Sequence, residues 1–141
     1  MAVLYSTKVT ATGGRHGSIR SDDGLLALDL ALPRSLGGKG GATNPEQLFA
    51  GGYAACFENA LFRVGRESGR PFADGDVEVV AEIGLSRNEA DAFVLSAALT
   101  VTIAGIDQPT AETLVHKAHA ICPYSNAIRG NVPVATAVSV R

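Results

Sequence analysis

The sequence predicts an α+β protein in which antiparallel β-sheets pack against one central helix. Residues Thr43–Glu67 carry apolar side chains at three- and four-residue spacing, the pattern of a helix that buries one face. Most of the remaining chain alternates apolar and polar side chains, which is the pattern of strands with one buried face. The predicted order is three strands, a helix, a hairpin, a helix and a strand, and this order indicates the α+β class.

The central helix has its own start signal. Thr43 or Asn44 can cap the first free amides, and Pro45 suits the first helical position. Glu46 places a negative charge in the first turn, where the helix dipole favours it. Small residues flank Cys56, so another backbone or a substrate can approach it closely. The apolar stripe consists of Phe49, Tyr53, Cys56, Phe57, Ala60, Leu61 and Val64.

Alternating segments separated by glycine, proline and Asx clusters predict the strands. The longest are residues 77–85 and 93–103, which flank a turn at residues 88–91 and so predict a hairpin. A second helix is predicted over Pro109–Ile121, and a short helical turn begins at Pro123. The other predicted strands are residues 3–11, 18–20, 26–32 and 132–140.

Length and composition predict one domain, residues 1–141, in a cytoplasmic protein. A chain of 141 residues can bury a substantial core. A net charge of −2 gives no basis for nucleic-acid binding, and no apolar run approaches the ~20 residues of a membrane span. The N-terminal segment lacks the pattern of a signal peptide. Two cysteines without an export signal predict a reducing compartment and thiols with a chemical role.

Cys56 and Cys122 are the first candidates for chemistry. Each has a purely structural alternative, because free cysteine is among the most frequently buried residue types. Cys122 precedes a proline at a helix start, where backbone amides and the helix dipole favour a thiolate. The local sequence therefore favours Cys122 as the reactive thiol and Cys56 as its partner.

Arg15 is the second candidate, because glycines on both sides allow its turn to fold close to another element. A guanidinium near a thiol lowers the thiol pKa and can donate hydrogen bonds to a peroxide oxygen. Glu46 can hold the guanidinium of Arg15 in one orientation. The structural alternatives are a solvated surface arginine and an ordinary first-turn acid.

Two further patterns could indicate a zinc site and a phosphate-binding loop, and the sequence disfavours both sites. His116, His119 and Cys122 follow one another at three-residue steps, so a zinc site is conceivable. The set drifts around the helix, Pro123 interrupts it, and no fourth ligand is evident, so we predict no metal. The glycine-rich segment 37–43 lacks the residue order of a phosphate-binding loop.

Three blocks of the sequence resemble the signature blocks of the organic hydroperoxide resistance proteins, a branch of the OsmC superfamily. The blocks are TATGGR at residues 10–15, TNPEQLFAGGYAACF at 43–57 and KAHAICPYSNAIRGN at 117–131. Together with the order of elements, the resemblance spans nearly the whole chain. It implies an OsmC-like fold with sheets wrapped around central helices in an intertwined homodimer.

The resemblance implies a cysteine peroxidase of the oxidative stress response that reduces organic and fatty-acid hydroperoxides. By match, Cys56 is the peroxidatic cysteine and Cys122 the resolving cysteine, which reverses the order that the local sequence favours. Arg15 and Glu46 match the residues that activate the thiolate. The expected reductant is a dihydrolipoyl group on a protein, and no cofactor is expected.

The substrate and the assembly follow from the same reasoning. An apolar groove beside Phe49, Tyr53 and Phe57 would favour an alkyl tail over hydrogen peroxide. Glu46 and Cys56 lie ten residues apart, about 15 Å along a continuous helix. Either the helix breaks at its two glycines, or Arg15 and Glu46 of one chain serve Cys56 of a second chain. We favour the second alternative. The competing function is a non-catalytic binder of apolar ligands or a redox sensor.

Overall fold

The computed structural model describes all residues from Met1 to Arg141. They form two compact units, Met1–Leu48 and Phe49–Arg141. The prediction of a single domain is not tested by this division and stays a prediction. Six strands and three α-helices occur in the predicted order, so the α+β class is confirmed. No helix is both long enough and apolar enough to cross a membrane.

The first unit contains a three-stranded antiparallel sheet. Its strands β1 (Val9–Thr12), β2 (Ser18–Ser21) and β3 (Ala27–Asp29) lie side by side in chain order. The predicted first strand, residues 3–11, forms a ladder only from Val9. The Lys8 carbonyl oxygen accepts one bond from the Asp22 amide, and residues 1–7 have no strand partner within this chain. The predicted strand at residues 26–32 is likewise shorter, and continues as a single parallel bridge between Leu30 and Thr43.

The central helix α1 spans Pro45–Glu67 and is unbroken at its two glycines. Asn44 caps it, since the Asn44 Oδ1 accepts from the Gln47 amide at 2.9 Å. Pro45 then occupies the first helical position, as predicted. The alternative in which the helix breaks at Gly51 and Gly52 is therefore wrong.

The second unit contains a mixed three-stranded sheet. Strands β4 (Val77–Arg87) and β5 (Phe93–Ile103) form the predicted antiparallel hairpin. Strand β6 (Val134–Val140) pairs with β5 in parallel, where the sequence analysis expects an antiparallel partner. The reason is the intervening pair of helices, which returns the chain to the same end of the sheet before β6 starts.

Helices α2 (Gln108–Ile121) and α3 (Pro123–Ile128) meet at Cys122. Asp107 caps α2, because its carboxylate accepts from the Thr110 amide at 2.9 Å. Cys122 is both the C-cap of α2 and the N-cap of α3, and Pro123 occupies the first helical position of α3. The sequence thus sets Cys122 at a fixed corner between two helices.

The core of the second unit lies among α1, α2 and the inner face of the sheet. The apolar stripe of α1 forms one wall, and alternate residues of β5 form another. The largest buried side chains are Tyr53, Phe57, Leu61, Leu99, Ile103 and Leu114.

Gly65 allows α1 to pack closely on the segment that follows it. A Cβ at Gly65 would lie 2.8 Å from the Arg70 carbonyl oxygen and 2.7 Å from the Phe72 ring. Gly65→Ala should lower the free energy of unfolding by about 1–2 kcal/mol, because the overlap outweighs the gain in helix propensity. Urea titration measures this change.

Gly75→Ala is the matched control. A Cβ at Gly75 would meet no atom within 4 Å, so its effect should stay within about 0.5 kcal/mol. A Gly65→Ala protein as stable as the parent would contradict the packing described above.

Candidate active site

The two cysteines are in contact in the second unit. Cys122 Sγ lies 3.9 Å from Cys56 Sγ, although 66 residues separate them in the chain. Both are free thiols. Cys122 is fully buried, whereas Cys56 is partly exposed. The pair that the sequence predicts is therefore brought together, and Cys56 is the thiol that a solute can reach.

The surroundings of Cys56 are apolar, and burial raises the pKa of its thiol. The backbone amide of Tyr124 opposes this rise by donating to the Cys56 sulfur, and the neighbouring Cys122 thiol adds to it. The amides at the start of α3 were expected to favour a thiolate at Cys122. The Tyr124 amide instead donates to the Cys56 sulfur. Cys122 occupies the N-cap position of α3 without a capping hydrogen bond from its side chain, and the Cys56 sulfur on α1 accepts from the helix start in its place.

Arg15 and Glu46 form a two-pronged ion pair within the first unit. Arg15 Nη2 donates to Glu46 Oε1 at 2.6 Å, and Arg15 Nη1 donates to Glu46 Oε2 at 2.8 Å. This geometry fixes the orientation of the guanidinium plane. The hydrogen bonds from Arg15 lower the pKa of Glu46, so the carboxylate is charged at neutral pH. The predicted pairing of the two residues is present.

A tight glycine turn presents Arg15. Gly13 has φ = 84°, a left-handed backbone conformation that residues with a side chain rarely adopt. A Cβ at Gly17 would lie 1.7 Å from the Thr12 carbonyl oxygen, so the turn closes on itself only with glycine there. The glycines on both sides of Arg15, which make Arg15 a candidate in the sequence, are therefore required by the geometry of this turn.

The three aromatic residues predicted to bind substrate differ in their burial. Tyr53 and Phe57 are fully buried in the core. Phe49 is partly exposed and lines a cavity of about 350 Å³ together with residues of β4 and β5. Phe49 meets the rings of Tyr53 and Tyr124 edge to face, at centroid distances of 6.4 and 5.8 Å. Of the three, Phe49 is the one positioned to contact a ligand directly.

A buried chain of hydrogen bonds lies beside the cysteines. The hydroxyl of Tyr53 is 2.8 Å from Ser125 Oγ, and Ser125 Oγ is 2.6 Å from His119 Nδ1. This chain is not among the predictions from the sequence, in which Tyr53 is a wall of the apolar groove and His119 is a disfavoured metal ligand. The local sequence carries no signal for it, because its three residues come from three different helices.

Comparison with known proteins places this arrangement in a family. The family model described as OsmC-like protein matches residues 38–137. The organic hydroperoxide resistance protein of Xanthomonas axonopodis pv. citri is 45% identical over 133 residues, which cover 94% of this chain and 92% of that protein. The chain belongs to the OsmC-like family, among the organic hydroperoxide resistance proteins.

Solved structures of OsmC-like proteins agree with the fold. An organic hydroperoxide resistance protein from Legionella pneumophila has a TM-score of 0.94 and 53% identity, with 99% of this chain and 100% of that chain covered. The organic hydroperoxide resistance protein OhrB of Bacillus subtilis has a TM-score of 0.87 and 42% identity, with 96% and 99% covered. The resemblance found in the three sequence blocks is confirmed.

The three residues of the alternative zinc site do not converge on one point. His116 and His119 both line a groove between α2 and β6, and His119 Nδ1 also contacts Ser125. Cys122 does not line that groove, and its sulfur contacts Cys56 Sγ instead.

The protonation state of His119 gives the first test of the site. Burial lowers the pKa of His119 below its ordinary value of 6.5, and the positive charges of Arg129 and His116 act in the same direction. An NMR titration of the imidazole Cε1–H signals, assigned with His16→Gln and His116→Gln variants, should give a midpoint below 6.5 for His119.

The same shift sets a pH dependence of stability. Between pH 6.5 and the lower pKa of the folded state, the unfolded chain binds more protons than the folded chain. The contribution of His119 is therefore present above pH 6.5 and is lost as the pH falls toward the folded-state pKa. A titration midpoint at or above 6.5 would show that His119 is not buried as described.

Proposed function

We propose that this protein is a thiol peroxidase that reduces organic hydroperoxides to alcohols. The observation that carries the proposal is the contact between a partly exposed thiol and a buried one, Cys56 and Cys122, with sulfurs 3.9 Å apart. The relatives of this chain are named organic hydroperoxide resistance proteins, which supports a hydroperoxide as the substrate.

The exposure of the two sulfurs supports the roles that we propose for them. Cys56 is accessible, so its thiolate attacks the outer oxygen of the hydroperoxide, the O–O bond breaks, and the alkoxide leaves and takes a proton. The product is an alcohol and a sulfenic acid on Cys56. The Cys122 thiol then attacks the sulfenic sulfur, water leaves, and a Cys56–Cys122 disulfide forms. A dithiol of the dihydrolipoyl type supplies the two electrons that restore both thiols.

The apolar surroundings favour an alkyl hydroperoxide as the substrate. Phe49 lies seven residues before Cys56 on α1, which is two turns away on the same helix face. We place the alkyl group against Phe49 and the cavity that it lines. Tyr53 and Phe57 support Phe49 from within the core, so in this proposal they shape the site without touching the alkyl group.

The charge for the thiolate comes from Arg15 in this proposal. Burial raises the pKa of Cys56, so a positive charge is needed to favour the reactive thiolate. Arg15 is held on Glu46, and Glu46 lies ten residues from Cys56 in one unbroken helix, a rise of about 15 Å. We therefore propose that Arg15 and Glu46 of one chain serve Cys56 of a second chain in a two-fold dimer.

The exposed N-terminal segment supports a dimer. Val3, Leu4 and Tyr5 are 83%, 98% and 78% exposed, and they precede β1 without a strand partner in their own chain. An apolar, strand-patterned segment of this kind is costly to leave in water. A second copy of the chain would supply the missing partner.

Replacement of each cysteine separates their roles. Cys56→Ser should abolish the consumption of cumene hydroperoxide with dithiothreitol or dihydrolipoamide as reductant, because the attacking sulfur is gone. Cys122→Ser should keep one turnover and then accumulate sulfinic acid on Cys56, which mass spectrometry detects as two added oxygens.

The rates at which the parent protein consumes alkyl hydroperoxides and hydrogen peroxide are then compared. Alkyl hydroperoxides should react faster than hydrogen peroxide, because only they bury an apolar group. Peroxide consumption by Cys56→Ser at the parent rate would contradict the proposal. A parent protein that binds cumene hydroperoxide without consuming it would favour the non-catalytic binder.

The shared site predicts complementation between two inactive proteins. Arg15→Ala should raise the pKa of the Cys56 thiol and slow its oxidation about tenfold or more, because one nearby charge shifts a pKa by about one unit or more. Mixed dimers of Arg15→Ala and Cys56→Ser chains should regain activity, since one site then holds both an arginine and a thiol.

Mass spectrometry establishes that the mixed dimers have formed, and Arg63→Ala in place of Arg15→Ala is the control. Arg63 pairs with Glu67 on an exposed face of α1, so its removal should leave the oxidation rate unchanged. Mixed dimers without activity would contradict a site shared between chains.

A further inference from the structure

Each residue of the hydrogen-bonded chain Tyr53–Ser125–His119 lies three positions from one of the two cysteines in the sequence. His119 lies three residues before Cys122 in α2, and Ser125 lies three residues after it in α3. Tyr53 lies three residues before Cys56 in α1. The chain therefore ties both sides of the Cys122 corner to the helical turn that precedes Cys56.

The hydroxyl groups of this chain are buried, so each of them needs a hydrogen-bond partner within the protein. Tyr53 is fully buried and Ser125 is 2% exposed, so neither hydroxyl can rely on bulk water. Burial also raises the pKa of Tyr53, which keeps its phenol protonated and able to donate. A second brace lies outside it, where the Arg129 guanidinium donates to the His119 carbonyl oxygen at 2.7 Å.

The number of hydrogens fixes the direction of the chain. Two contacts join the three groups, and neutral His119 with its proton on Nε2 leaves two donor hydrogens, one on Tyr53 and one on Ser125. Tyr53 then donates to Ser125, and Ser125 donates to His119 Nδ1. A proton on Nδ1 would give three donors for two contacts and leave one buried hydrogen without an acceptor.

We propose that Ser125 and His119, with the Tyr53 hydroxyl, are positioning residues that hold Cys122 against Cys56 for disulfide closure. The sulfurs stand at 3.9 Å, and a disulfide bond is about 2.05 Å long, so closure needs a shift of about 2 Å. Anchors on both sides of Cys122 restrict its corner to that short path. The inference rests on the proposed function, because it concerns the disulfide on which the reaction cycle depends.

Equilibrium with glutathione tests the inference without any peroxide. One glutathione disulfide oxidises the two thiols and yields the Cys56–Cys122 disulfide and two glutathione thiols. The equilibrium constant is the effective concentration of one cysteine relative to the other. Tyr53→Phe should lower it about fivefold, the factor for one buried hydrogen bond, while keeping the ring. His119→Ala should lower it by at least as much.

His119→Asn and Ser139→Ala are the controls. The Asn Oδ1 replaces Nδ1 as the acceptor for Ser125, so His119→Asn should recover a value within about twofold of the parent. Ser139→Ala removes an exposed hydroxyl that bonds Thr102 in the sheet, and it should change nothing. Urea titration of the reduced proteins verifies that each variant is folded.

The pH dependence is a readout that a general loss of packing would not produce. The exchange transfers two hydrogens from the protein thiols to glutathione, and His119→Asn has the same thiols as the parent, so the difference between the two proteins at each pH reports on His119. The effective concentration of the parent should fall relative to that of His119→Asn as the pH drops below 6.5, the ordinary pKa of histidine, and His119 gains a proton. Other groups facing His119 are His116 and Glu112 on α2, Arg129 after α3 and Tyr53 on α1, with Thr136 and Val138 from β6.

The outcomes separate this inference from the proposed function. A parent protein that forms no Cys56–Cys122 disulfide with glutathione would overturn both. Disulfide formation in the parent with equal effective concentrations in Tyr53→Phe and His119→Ala would overturn only the inference. A fall in both variants, rescue in His119→Asn and the predicted pH dependence would establish the positioning role even if no hydroperoxide is consumed.

Discussion

The proposed chemistry depends on one structural constraint, which is that two sulfurs from distant parts of the chain remain in contact inside apolar packing. Cys56 comes from the middle of α1, where the apolar stripe fixes which face is buried. Cys122 comes from the corner between α2 and α3, where Pro123 forces a new helix to begin. Neither segment alone sets the 3.9 Å separation, since it results from the packing of α1 on that corner.

That packing creates an electrostatic problem for a thiol peroxidase. The apolar interior that suits an alkyl hydroperoxide also raises the pKa of Cys56 and so disfavours the thiolate. The Tyr124 amide offsets part of this effect within the same unit. A full charge offsets more, and the ion pair of Arg15 and Glu46 holds such a charge in one orientation. In the dimer that we propose, this pair would lie near the thiol, and an apolar substrate site would then coexist with a reactive anion.

Local signals in the sequence were sufficient for the elements, and insufficient for pairings between distant segments. Asn44, Pro45 and the stripe of α1 specify the helix by short-range physics, so its prediction from the sequence was accurate. The parallel pairing of β6 and the missing ladder of residues 1–8 depend on where distant segments lie, which alternation does not encode. The candidate site followed the same division, because the pairing of Cys56 with Cys122 was predicted from the sequence and the hydrogen bonds of Ser125 were not.

The buried hydroxyls explain how polar groups coexist with the apolar cysteine site. A buried polar group without a partner would cost about 1–3 kcal/mol, and it would also draw water toward the sulfurs. In the chain from Tyr53 through Ser125 to His119, both hydroxyl hydrogens have an acceptor as long as His119 is neutral with its proton on Nε2. His119 is also the chain's outlet, since it lines the groove between α2 and β6. Protonation of His119 adds a third donor hydrogen to the two contacts, so the proposed positioning of Cys122 by this chain would weaken as His119 becomes charged.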